Sequence, residues 1–579
     1  MRLINVKTLE LSEFFGDDIP HYAILSHRWE SEEVGIEVFS HDLAKARTLR
    51  GFIKIQYCAE QADREGLTWC WVDTCCIDKR SSSELSEAIN SMYQWYKNAV
   101  CCYAYLGDVS LIPSETPLGS SVNDFENRNL HKSEWFLRGW TLQELIAPRT
   151  LRFYSRDWTD MGSRQMHSGA ISRLCGIDER VLLGHLSVDS VNIAQRMRWA
   201  SARKTTRIED TAYCLMGIFD VNMPLLYGEG RKAFMRLQEE IIKRSADHSI
   251  FTWIDRNASR LAFRSLFARS PAEFQHCQNI ESLPASVPFA LTNMGLKMSL
   301  GLNLLDGDDS DGFEYLAELQ CAFKHSGEKI AIRLRRTAHN TQQFVRVDPY
   351  KLYEVDWVDQ APDLYVPEKM PITLMTGNRI AGFKCTISTV DSDLEGVRPD
   401  GVWHEESSMI RYDPHSSLPC FIARLLFTNR FDKDKRRLVT LVYNLRSYPI
   451  TIAAGSLDVQ DHEVLPSSYA SFVRIPTTAY NMDDPPSMDT VDWTSTTTQS
   501  HSFVELGKDL INDELVITAQ IHVNTSDHDK RYTISDDTNR VAWAARREEK
   551  LLSRSGTLER RKPPADLSRS GTLRMEEPE

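Results

Sequence analysis

Three short segments of the sequence carry side chains that could together bind a phosphorylated sugar. Two of them follow apolar runs, and the third lies in the stretch GWTLQEL. Arginine, hydroxyl and amide groups donate hydrogen bonds to phosphate, tryptophan rings stack on planar groups, and carboxylates accept hydrogen bonds from sugar hydroxyls. The side chains that form this candidate substrate pocket are Ser26, His27, Arg28, Trp29, Asp73, Asp78, Trp140 and Glu144.

Each of these side chains also has a plainer structural interpretation. The tryptophans could be core residues, and the aspartates could cap strand ends. Glu144 could pair with Arg138 or Arg149. The spacing alone leaves both interpretations open.

The elements around these segments alternate between strand and helix patterns. Helices are predicted over 51–65, after the capping-box spacing of Ser81 and Glu84, and over 140–146. Repeated β-α-β order implies a parallel sheet flanked by helices, in which ligands gather at the carboxyl ends of the strands. WVDTCCIDK would then be a strand end and the rim of the pocket. The predicted strands cover 22–26, 69–73, 100–106 and 151–154.

The chain separates into regions with different sequence patterns. We predict an α/β domain, a parallel sheet flanked by helices, over 1–165 and a helical extension packed on it over 166–258, including a helix over 231–244. A β-rich region of unknown role follows over 259–540. A disordered tail, 541–579, contains LSRSGTL twice, either as a kinase site or as plain linker. Strands in the β-rich region are predicted at 329–335, 371–375, 383–390, 437–445 and 514–523.

Composition excludes several classes of function. The net charge of −13 and the isoelectric point near 5.7 argue against a nucleic-acid partner, because such proteins show a basic face. No apolar run approaches the roughly 18–20 residues of a membrane span. The start MRLINVKTLELSEFF lacks the apolar core of a signal peptide. We therefore expect a cytoplasmic protein without a membrane span.

The adjacent cysteines of WVDTCCIDK raise a metal site as an alternative. The sequence contains 12 cysteines, and no CxxC pair occurs among them. In an extended segment, Cys75 and Cys76 would point to opposite sides and could not easily reach one tetrahedral zinc ion. We therefore expect no metal site, and we interpret the cysteines as reduced thiols that pack as small apolar side chains.

A glycine-rich loop imitates a dinucleotide-binding fingerprint. Gly228, Gly230 and Ala233 have the GxGxxA spacing, and Asp255 follows further along the chain. The run MPLLY before the loop contains Pro224, which a buried first strand should not contain. We expect the glycines to form a tight connection between two helices, which leaves a Rossmann-type oxidoreductase as the less favoured alternative.

Several blocks within residues 1–255 resemble the heterokaryon-incompatibility (HET) domain of fungi. They are YAILSHRW, WCWVDTCCIDK with SSSELSEAINSMYQWYKNA, WFLRGWTLQELIAP, and the downstream stretch from RMRWAS to QEEIIK. The resemblance implies non-self recognition and programmed cell death when incompatible hyphae fuse, and hence an incompatibility partner protein. The first block of the family usually reads SHTWG, whereas this chain has Arg28 and Glu30, which would alter the loop after the first strand.

The order of the elements is also similar, more distantly, to Toll/interleukin-receptor (TIR) domains. In NAD-cleaving members of that family, a W-C-x-x-E-L helix carries the catalytic glutamate. Trp140 matches the tryptophan, Thr141 replaces the cysteine, and Glu144 and Leu145 match the E-L pair. The resemblance implies that Glu144 is catalytic and that NAD is the substrate. A fixed carboxylate near the ribose would stabilise the oxocarbenium-like transition state without a metal or other cofactor.

The resemblances leave two functions open. In the first, the N-terminal domain hydrolyses NAD with Glu144, and Ser26, Arg28, Trp29 and Asp73 lie in the pocket. In the second, the domain is a non-enzymatic death-signalling module that acts by homotypic assembly, as many TIR domains do. Glu144 is compatible with both functions, so the sequence alone does not separate them.

Overall fold

The structure, a computed structural model, describes most of the first 368 residues and a set of strands beyond them. The described ranges are 1–110, 129–259, 261–284, 288–305, 314–337, 341–356 and 362–368, followed by strands and short connections between 380 and 523. The predicted tail over 541–579 and the strand predicted over 371–375 lie outside these residues.

Seven strands form one sheet in the N-terminal region. They are β1 (Arg2–Asn5), β2 (Leu11–Glu13), β3 (Tyr22–His27), β4 (Trp69–Trp71), β5 (Cys101–Leu106), β6 (Leu151–Ser155) and β7 (Asp160–Ser163). Their order across the sheet is β2-β1-β4-β3-β5-β6-β7. The central strands β4, β3, β5 and β6 are parallel, whereas the pairs β1–β2, β1–β4 and β6–β7 are antiparallel.

The prediction of a parallel sheet is therefore correct for the central strands and wrong for the edges, so the sheet is mixed. Short connections join β1 to β2 and β6 to β7, and only antiparallel neighbours can be joined in that way. Among the parallel strands, the chain crosses to one side from β3 to β4 and to the other side on reaching β5. The carboxyl ends of β3 and β5 therefore form a switch point, the place where open α/β sheets bind ligands.

Helices cover the sheet, which explains its apolar strands. They are α1 (Ile36–His41), α2 (Leu43–Ala46), α3 (Phe52–Arg64), α4 (Asp73–Cys76), α5 (Ser82–Asn98) and α6 (Thr141–Ile146). All residues of β3 and β5 are buried, as expected for strands covered on both faces. The strand predicted over 69–73 ends at Trp71, and Asp73 begins the single turn of α4. Cys75 and Cys76 are therefore buried in a helix, and the prediction of an extended segment is wrong.

The start of α5 shows half of the predicted capping box. The Ser81 hydroxyl accepts a hydrogen bond from the Glu84 amide at 3.3 Å. The Glu84 carboxylate does not return to Ser81, because it accepts hydrogen bonds from Arg2 and from the Asp78 amide. The buried face of the helix is formed by Ala88, Ile89, Met92 and Tyr96.

A group of helices follows β7, as the sequence pattern predicts. They are α7 (Ser168–Cys175), α8 (Glu179–Leu182), α9 (Ile193–Ala200), α10 (Asp210–Tyr213) and α11 (Lys232–Ile242). Within α11, Phe234, Leu237 and Ile241 are buried at the predicted helical spacing. We call residues 166–258 the helical extension.

The remainder of the described chain is β-rich, as predicted. The strands up to residue 366 are β8 (Phe263–Arg264), β9 (Ile280–Ser282), β10 (Ala290–Thr292), β11 (Gly295–Ser299), β12 (Leu302–Leu304), β13 (Glu314–Phe323), β14 (Lys329–Arg336), β15 (Phe344–Val347), β16 (Tyr353–Val355) and β17 (Asp363–Val366). They form a sheet in the order β10-β11-β17 and a second sheet in the order β12-β13-β14-β15-β8, which β9 and β16 join.

Strands beyond residue 380 form two further sheets. They are β18 (Ile380–Thr389), β19 (Ser392–Arg398), β20 (Trp403–His404), β21 (Met409–Arg411), β22 (Cys420–Asn429), β23 (Arg436–Asn444), β24 (Thr451–Val459), β25 (Tyr480–Asn481), β26 (Thr490–Thr494), β27 (His501–Ile511) and β28 (Glu514–Val523). The sheet orders are β20-β21-β18-β28-β27-β26 and β19-β22-β23-β24-β25. Strand β18 runs parallel to β28, whereas the other strand pairs of these two sheets are antiparallel.

One apolar core connects the regions up to residue 366. It runs from Leu3 in the N-terminal sheet through the helical extension to Val366 in β17. The boundaries predicted at residues 165 and 258 therefore lie within a continuous core and stay predictions. None of the described helices combines the length and the apolar character that a membrane crossing requires.

Candidate functional site

A small cleft opens at the carboxyl ends of β3 and β5, at the switch point of the sheet. Its volume is about 150 Å³. The residues that line it are Arg28, Glu30, Tyr105, Gly107, Asp108, Trp135 and Arg156. Ligand pockets usually have volumes of about 300–1,000 Å³, so the cleft has room for a small group and not for a whole dinucleotide.

A buried glutamate lies behind one wall of this cleft. Glu144, in α6, is 7% exposed and does not line the cleft. Its Oε2 atom accepts a hydrogen bond from the hydroxyl of Ser26, which is fully buried near the end of β3. Trp135, which lines the cleft, donates from Nε1 to the Ser26 Oγ atom at 2.9 Å. A chain of two hydrogen bonds therefore connects the cleft wall to the carboxyl group of Glu144.

Burial dominates the electrostatics of Glu144. It raises the pKa of this carboxyl to about 7, and the charge of Asp73 adds to the effect, while the hydrogen bond from Ser26 and the charge of Arg138 oppose it. Among the described residues, Glu144 forms no ion pair with a lysine, an arginine or a histidine. A carboxyl with this pKa is about half protonated at neutral pH.

A second polar cluster begins at the next residue of β3. His27 is 5% exposed, and its Nε2 atom lies 3.6 Å from Asp73 Oδ1. Neither of these two atoms has a hydrogen-bond partner among the residues that the structure describes. Burial and the nearby charge of Lys54 lower the pKa of His27 to about 3, so the imidazole is neutral at ordinary pH.

Asp73 is held in its ionised form by its neighbours. Burial alone would raise the pKa of its carboxyl, but the charge of Lys79 and the hydrogen bond from the indole of Trp29 lower that pKa. The Trp29 Nε1 atom donates to Asp73 Oδ2 at 2.7 Å. Lys79 lies over the same indole, with its Nζ atom 3.3 Å from the ring centroid.

Further ion pairs surround the two clusters. Arg28, at the cleft, pairs with Glu134 at the start of the helical turn that carries Trp135. Lys54 of α3 is 2% exposed and pairs with Glu33. Its Nζ atom also donates to the Arg28 carbonyl oxygen at 3.3 Å.

The structure brings most of the predicted site residues together and places two elsewhere. Ser26 contacts Glu144, and His27 and Trp29 contact Asp73, as the shared strand-end location predicts. Asp78 pairs with Arg80 and does not contact these groups. Trp140 shares a hydrogen bond with Asp210 in the helical extension.

Sequence reasoning missed several residues of the cleft. Tyr105, Gly107 and Asp108 stand at or after the carboxyl end of β5, and Arg156 directly follows β6. The strand-end rule that selected the residues after β3 would have found them if it had been applied to each parallel strand. Trp135 carried no comparable signal, because it lies in a short helical turn, Glu134–Leu137, and not at the end of a strand.

The glycine-rich loop has a structural partner inside the chain. Glu209 Oε1 accepts hydrogen bonds from the amides of Gly228 at 2.8 Å and Gly230 at 3.1 Å. Gly228 has a φ angle of +103°, which favours glycine. The loop connects α10 to α11, as predicted. Amides that a dinucleotide phosphate would need are thus occupied by a carboxylate of the protein itself, which speaks against the Rossmann alternative.

The cysteines and acidic residues do not assemble into a metal centre in the part of the chain that the structure describes. No group of three His, Cys, Asp or Glu residues there could hold a metal ion. Burial raises the pKa values of the Cys75 and Cys102 thiols well above the ordinary value, which keeps them protonated and unreactive.

The fold and the site define an α/β domain with a polar cluster at its switch point, and comparisons with known proteins identify its family. Residues 22–124 match the family model described as Heterokaryon incompatibility protein (HET). Residues 232–262 match a domain of unknown function, DUF8212. The N-terminal region therefore contains a HET domain.

One relative is similar to part of this chain. Vegetative incompatibility protein HET-E-1 of Podospora anserina is 47% identical over 228 residues, which make up 39% of this chain and 16% of that protein. This chain thus spans about a sixth of the length of the relative that it matches. No solved structure matches the chain.

Proposed function

We propose that this chain acts in heterokaryon incompatibility, where recognition of a non-self partner triggers cell death through the HET domain. The family match over residues 22–124 and the identity of 47% to a vegetative incompatibility protein support this role. The partner protein would be a component of a second, incompatible strain.

The chemistry that we propose for the HET domain is hydrolysis of NAD. The nicotinamide–ribose bond breaks, its electron pair leaves with the pyridinium nitrogen, and water adds to the ribose carbon and loses a proton. Products are nicotinamide and ADP-ribose. The Glu144 carboxylate would stabilise the positive charge that develops on the ribose, in the role that the similarity of RGWTLQEL to TIR domains suggests.

The observation that carries this proposal is the position and state of Glu144. Its carboxyl is buried at the switch point, is hydrogen-bonded to Ser26, and has a pKa raised to about 7. Strongly shifted carboxyl groups in water-poor positions are typical of catalytic sites. The other predicted pocket residues, Arg28, Trp29 and Asp73, would bind the phosphates, the nicotinamide ring and the ribose hydroxyls.

The described conformation corresponds to a resting state under this proposal. Trp135 is 1% exposed and separates Glu144 from a cleft of about 150 Å³, so NAD can reach the acid only after this segment moves. Movement of Trp135 would admit water, lower the pKa of Glu144 and ionise it. Opening would therefore create both the space and the charge that the reaction needs.

The closed cleft also favours a second candidate function. A domain whose acid stays buried could signal by homotypic assembly alone, without chemistry. In that case Glu144 is a structural group that supports β3 through Ser26. Cell death would then persist when Glu144 cannot ionise.

Nicotinamide release from NAD tests the enzymatic proposal. The full chain is assayed at high concentration and as a fusion to an oligomerising tag, beside Glu144→Gln and the surface control Glu60→Gln in α3. We expect release by the wild type and by Glu60→Gln, and loss of release in Glu144→Gln. No release from the tethered wild type, or equal release from Glu144→Gln, would contradict hydrolysis. Cell death caused by Glu144→Gln at matched expression would support assembly.

A further inference from the structure

The segment that carries Trp135 and Glu144 is held together by the side-chain hydroxyl of a residue within that segment. Thr141, the first residue of α6, reaches the carbonyl oxygens of Trp135 and Arg138 with its Oγ1 atom. Thr141 lies one helical turn before Glu144, on the same face of α6. Its hydroxyl therefore ties the indole-bearing turn to the helix that presents the acid.

An arginine of the helical extension completes this network. Arg203 Nη1 lies 2.9 Å from the Arg138 carbonyl oxygen and 2.9 Å from Thr141 Oγ1. Its Nη2 atom contacts the Cys175 sulfur at 3.8 Å. A planar guanidinium can bridge these acceptors at once, whereas a lysine ammonium would lose part of that geometry.

The backbones of the two regions also approach closely beside Arg203. The Gly139 amide donates to the Lys204 carbonyl oxygen at 2.8 Å, and the Lys204 amide donates to the Leu137 carbonyl oxygen at 2.7 Å. A Cβ atom on Gly139 would lie 2.5 Å from Thr205 Cγ2 and 3.2 Å from Cys214 Sγ. Only glycine permits this approach without a shift of the neighbouring chain.

Helix α9, which precedes Arg203 in the chain, is bound at its start to the region around β9. Helix α9 ends at Ala200, shortly before Arg203. At the start of α9, the amides of Ile193 and Ala194 donate to Asp247 Oδ2 at 2.7 Å and Ser249 Oγ at 3.0 Å. The side chain of Gln195 donates to the Gln278 carbonyl oxygen at 2.8 Å, next to β9. Helix α9 thus links the β-rich region to the turn that carries the site.

We propose that Arg203 is a positioning residue for the HET-domain site, supplied by the helical extension. It acts through Thr141 and Arg138 to fix where Trp135 and Glu144 stand relative to Ser26. The site is then incomplete without residues far beyond the region 22–124 that matches the family model. This proposal rests on the proposed function for its kinetic consequence, but its structural consequence is independent of it.

Arg203→Lys in the full chain tests the proposal, with Arg198→Lys as a matched control. Arg198 also lies in the extension and donates to a carbonyl oxygen, that of Gly176 at 3.0 Å, but it does not contact the site segment. We expect Arg203→Lys to lower kcat for nicotinamide release at least about tenfold, with KM changed less than about twofold and the melting temperature preserved. Arg198→Lys should change none of these quantities.

Hydrogen–deuterium exchange of the same variants separates this proposal from the proposed function. Peptides covering 133–147 should exchange faster in Arg203→Lys than in the wild type, and no faster in Arg198→Lys. Faster exchange together with no nicotinamide release from the wild type would support positioning and overturn hydrolysis. Unchanged exchange, or wild-type kcat in Arg203→Lys, would overturn positioning while leaving hydrolysis in place. Thr141→Val, which removes the bridging hydroxyl without touching Arg203, should repeat the effect.

Discussion

Two consecutive residues of β3 lead to two carboxyl groups in opposite states. Ser26 and His27 point to opposite faces of the sheet, as neighbours on a strand do. Ser26 donates to Glu144, which has no ion-pair partner among the described residues and whose pKa is raised to about 7 by burial. His27 faces Asp73, whose pKa is lowered by Lys79 and Trp29 in spite of burial.

The difference shows what sets the charge of an acid at this strand end. Burial by itself raises the pKa of both carboxyl groups. Lys79 and Lys54 stand near Asp73 and help to lower its pKa, whereas the Ser26 hydrogen bond and the charge of Arg138 do not offset the effect of burial on Glu144. Adjacent acids with pKa values pushed apart are typical of sites that need one acid and one carboxylate.

The largest expected effect comes from removing a cation on the Asp73 side. Lys54→Met leaves Glu33 as a buried charge without its partner and should lower the free energy of unfolding by about 3–5 kcal/mol. Arg64→Met is the matched control on the same helix, since the Arg64–Glu60 pair has side chains 60% and 46% exposed. In chemical denaturation, the free energy of unfolding of Arg64→Met should differ from that of the wild type by less than about 1 kcal/mol. Equal losses in both variants would remove the contrast between buried and exposed pairs.

Neutralising Glu144 should change the free energy of unfolding by a smaller amount, and at high pH it should raise that free energy. The folded-state pKa is about 7, whereas an unfolded glutamate has a pKa of about 4.3. Between these values the folded state binds a proton that the unfolded state has lost, so stability falls as pH rises through this window. Glu144→Gln removes that loss and should stabilise the protein by about 2–3 kcal/mol near pH 8, with almost no gain near pH 4.

Denaturation of Glu144→Gln and of Glu60→Gln across this pH range measures the effect. Glu60 lies on the surface of α3, so its replacement should show no comparable pH dependence. A Glu144→Gln variant that is destabilised equally at every pH would mean that folding does not raise the pKa of Glu144. That result would break the contrast with Asp73.

The smallest expected effect is that of a single indole hydrogen bond. Trp135 and Trp71 are 1% and 0% exposed. The Trp135 N–H donates to Ser26, whereas Trp71 Nε1 has no hydrogen-bond partner in the part of the chain that the structure describes. Substitution by phenylalanine removes a similar volume at either position. The difference between the two losses of unfolding free energy therefore measures the hydrogen bond from Trp135 to Ser26. Trp135→Phe should cost about 1 kcal/mol more than Trp71→Phe in chemical denaturation. A difference near zero would show that this bond does not stabilise the Ser26–Glu144 pair.

Local sequence patterns predicted the strand and the helix that carry these residues. They did not predict the charge states of the two acids. The apolar run 22–26 predicted β3, and the spacing in GWTLQEL predicted α6, so the meeting of Ser26 with Glu144 follows from the strand-end rule. The same rule did not distinguish Asp78, because the short turn of α4 carries it away to Arg80. Turn geometry of this kind depends on contacts that a single segment does not encode.

Sequence reasoning did not predict the contacts between distant segments of the chain. Arg203 meets Thr141 across 62 residues, and no periodicity marks either residue as a partner of the other. The carboxylate of Glu209 fills the amides of the glycine-rich loop in the same way. The mixed edges of the sheet were missed because very short strands such as β2 and β7 carry too few residues for an alternation pattern.

The protonation state of Glu144 is the most direct test of this account. Infrared difference spectroscopy of the full chain with isotope-labelled glutamate carboxyl groups follows each protonated acid between about pH 5 and pH 9. We predict one glutamic acid band that titrates near neutral pH, is absent in Glu144→Gln and is retained in Asp73→Asn. A spectrum without such a band, or a band that survives in Glu144→Gln, would contradict the assignment of Glu144 as a buried acid that is partly protonated near neutral pH.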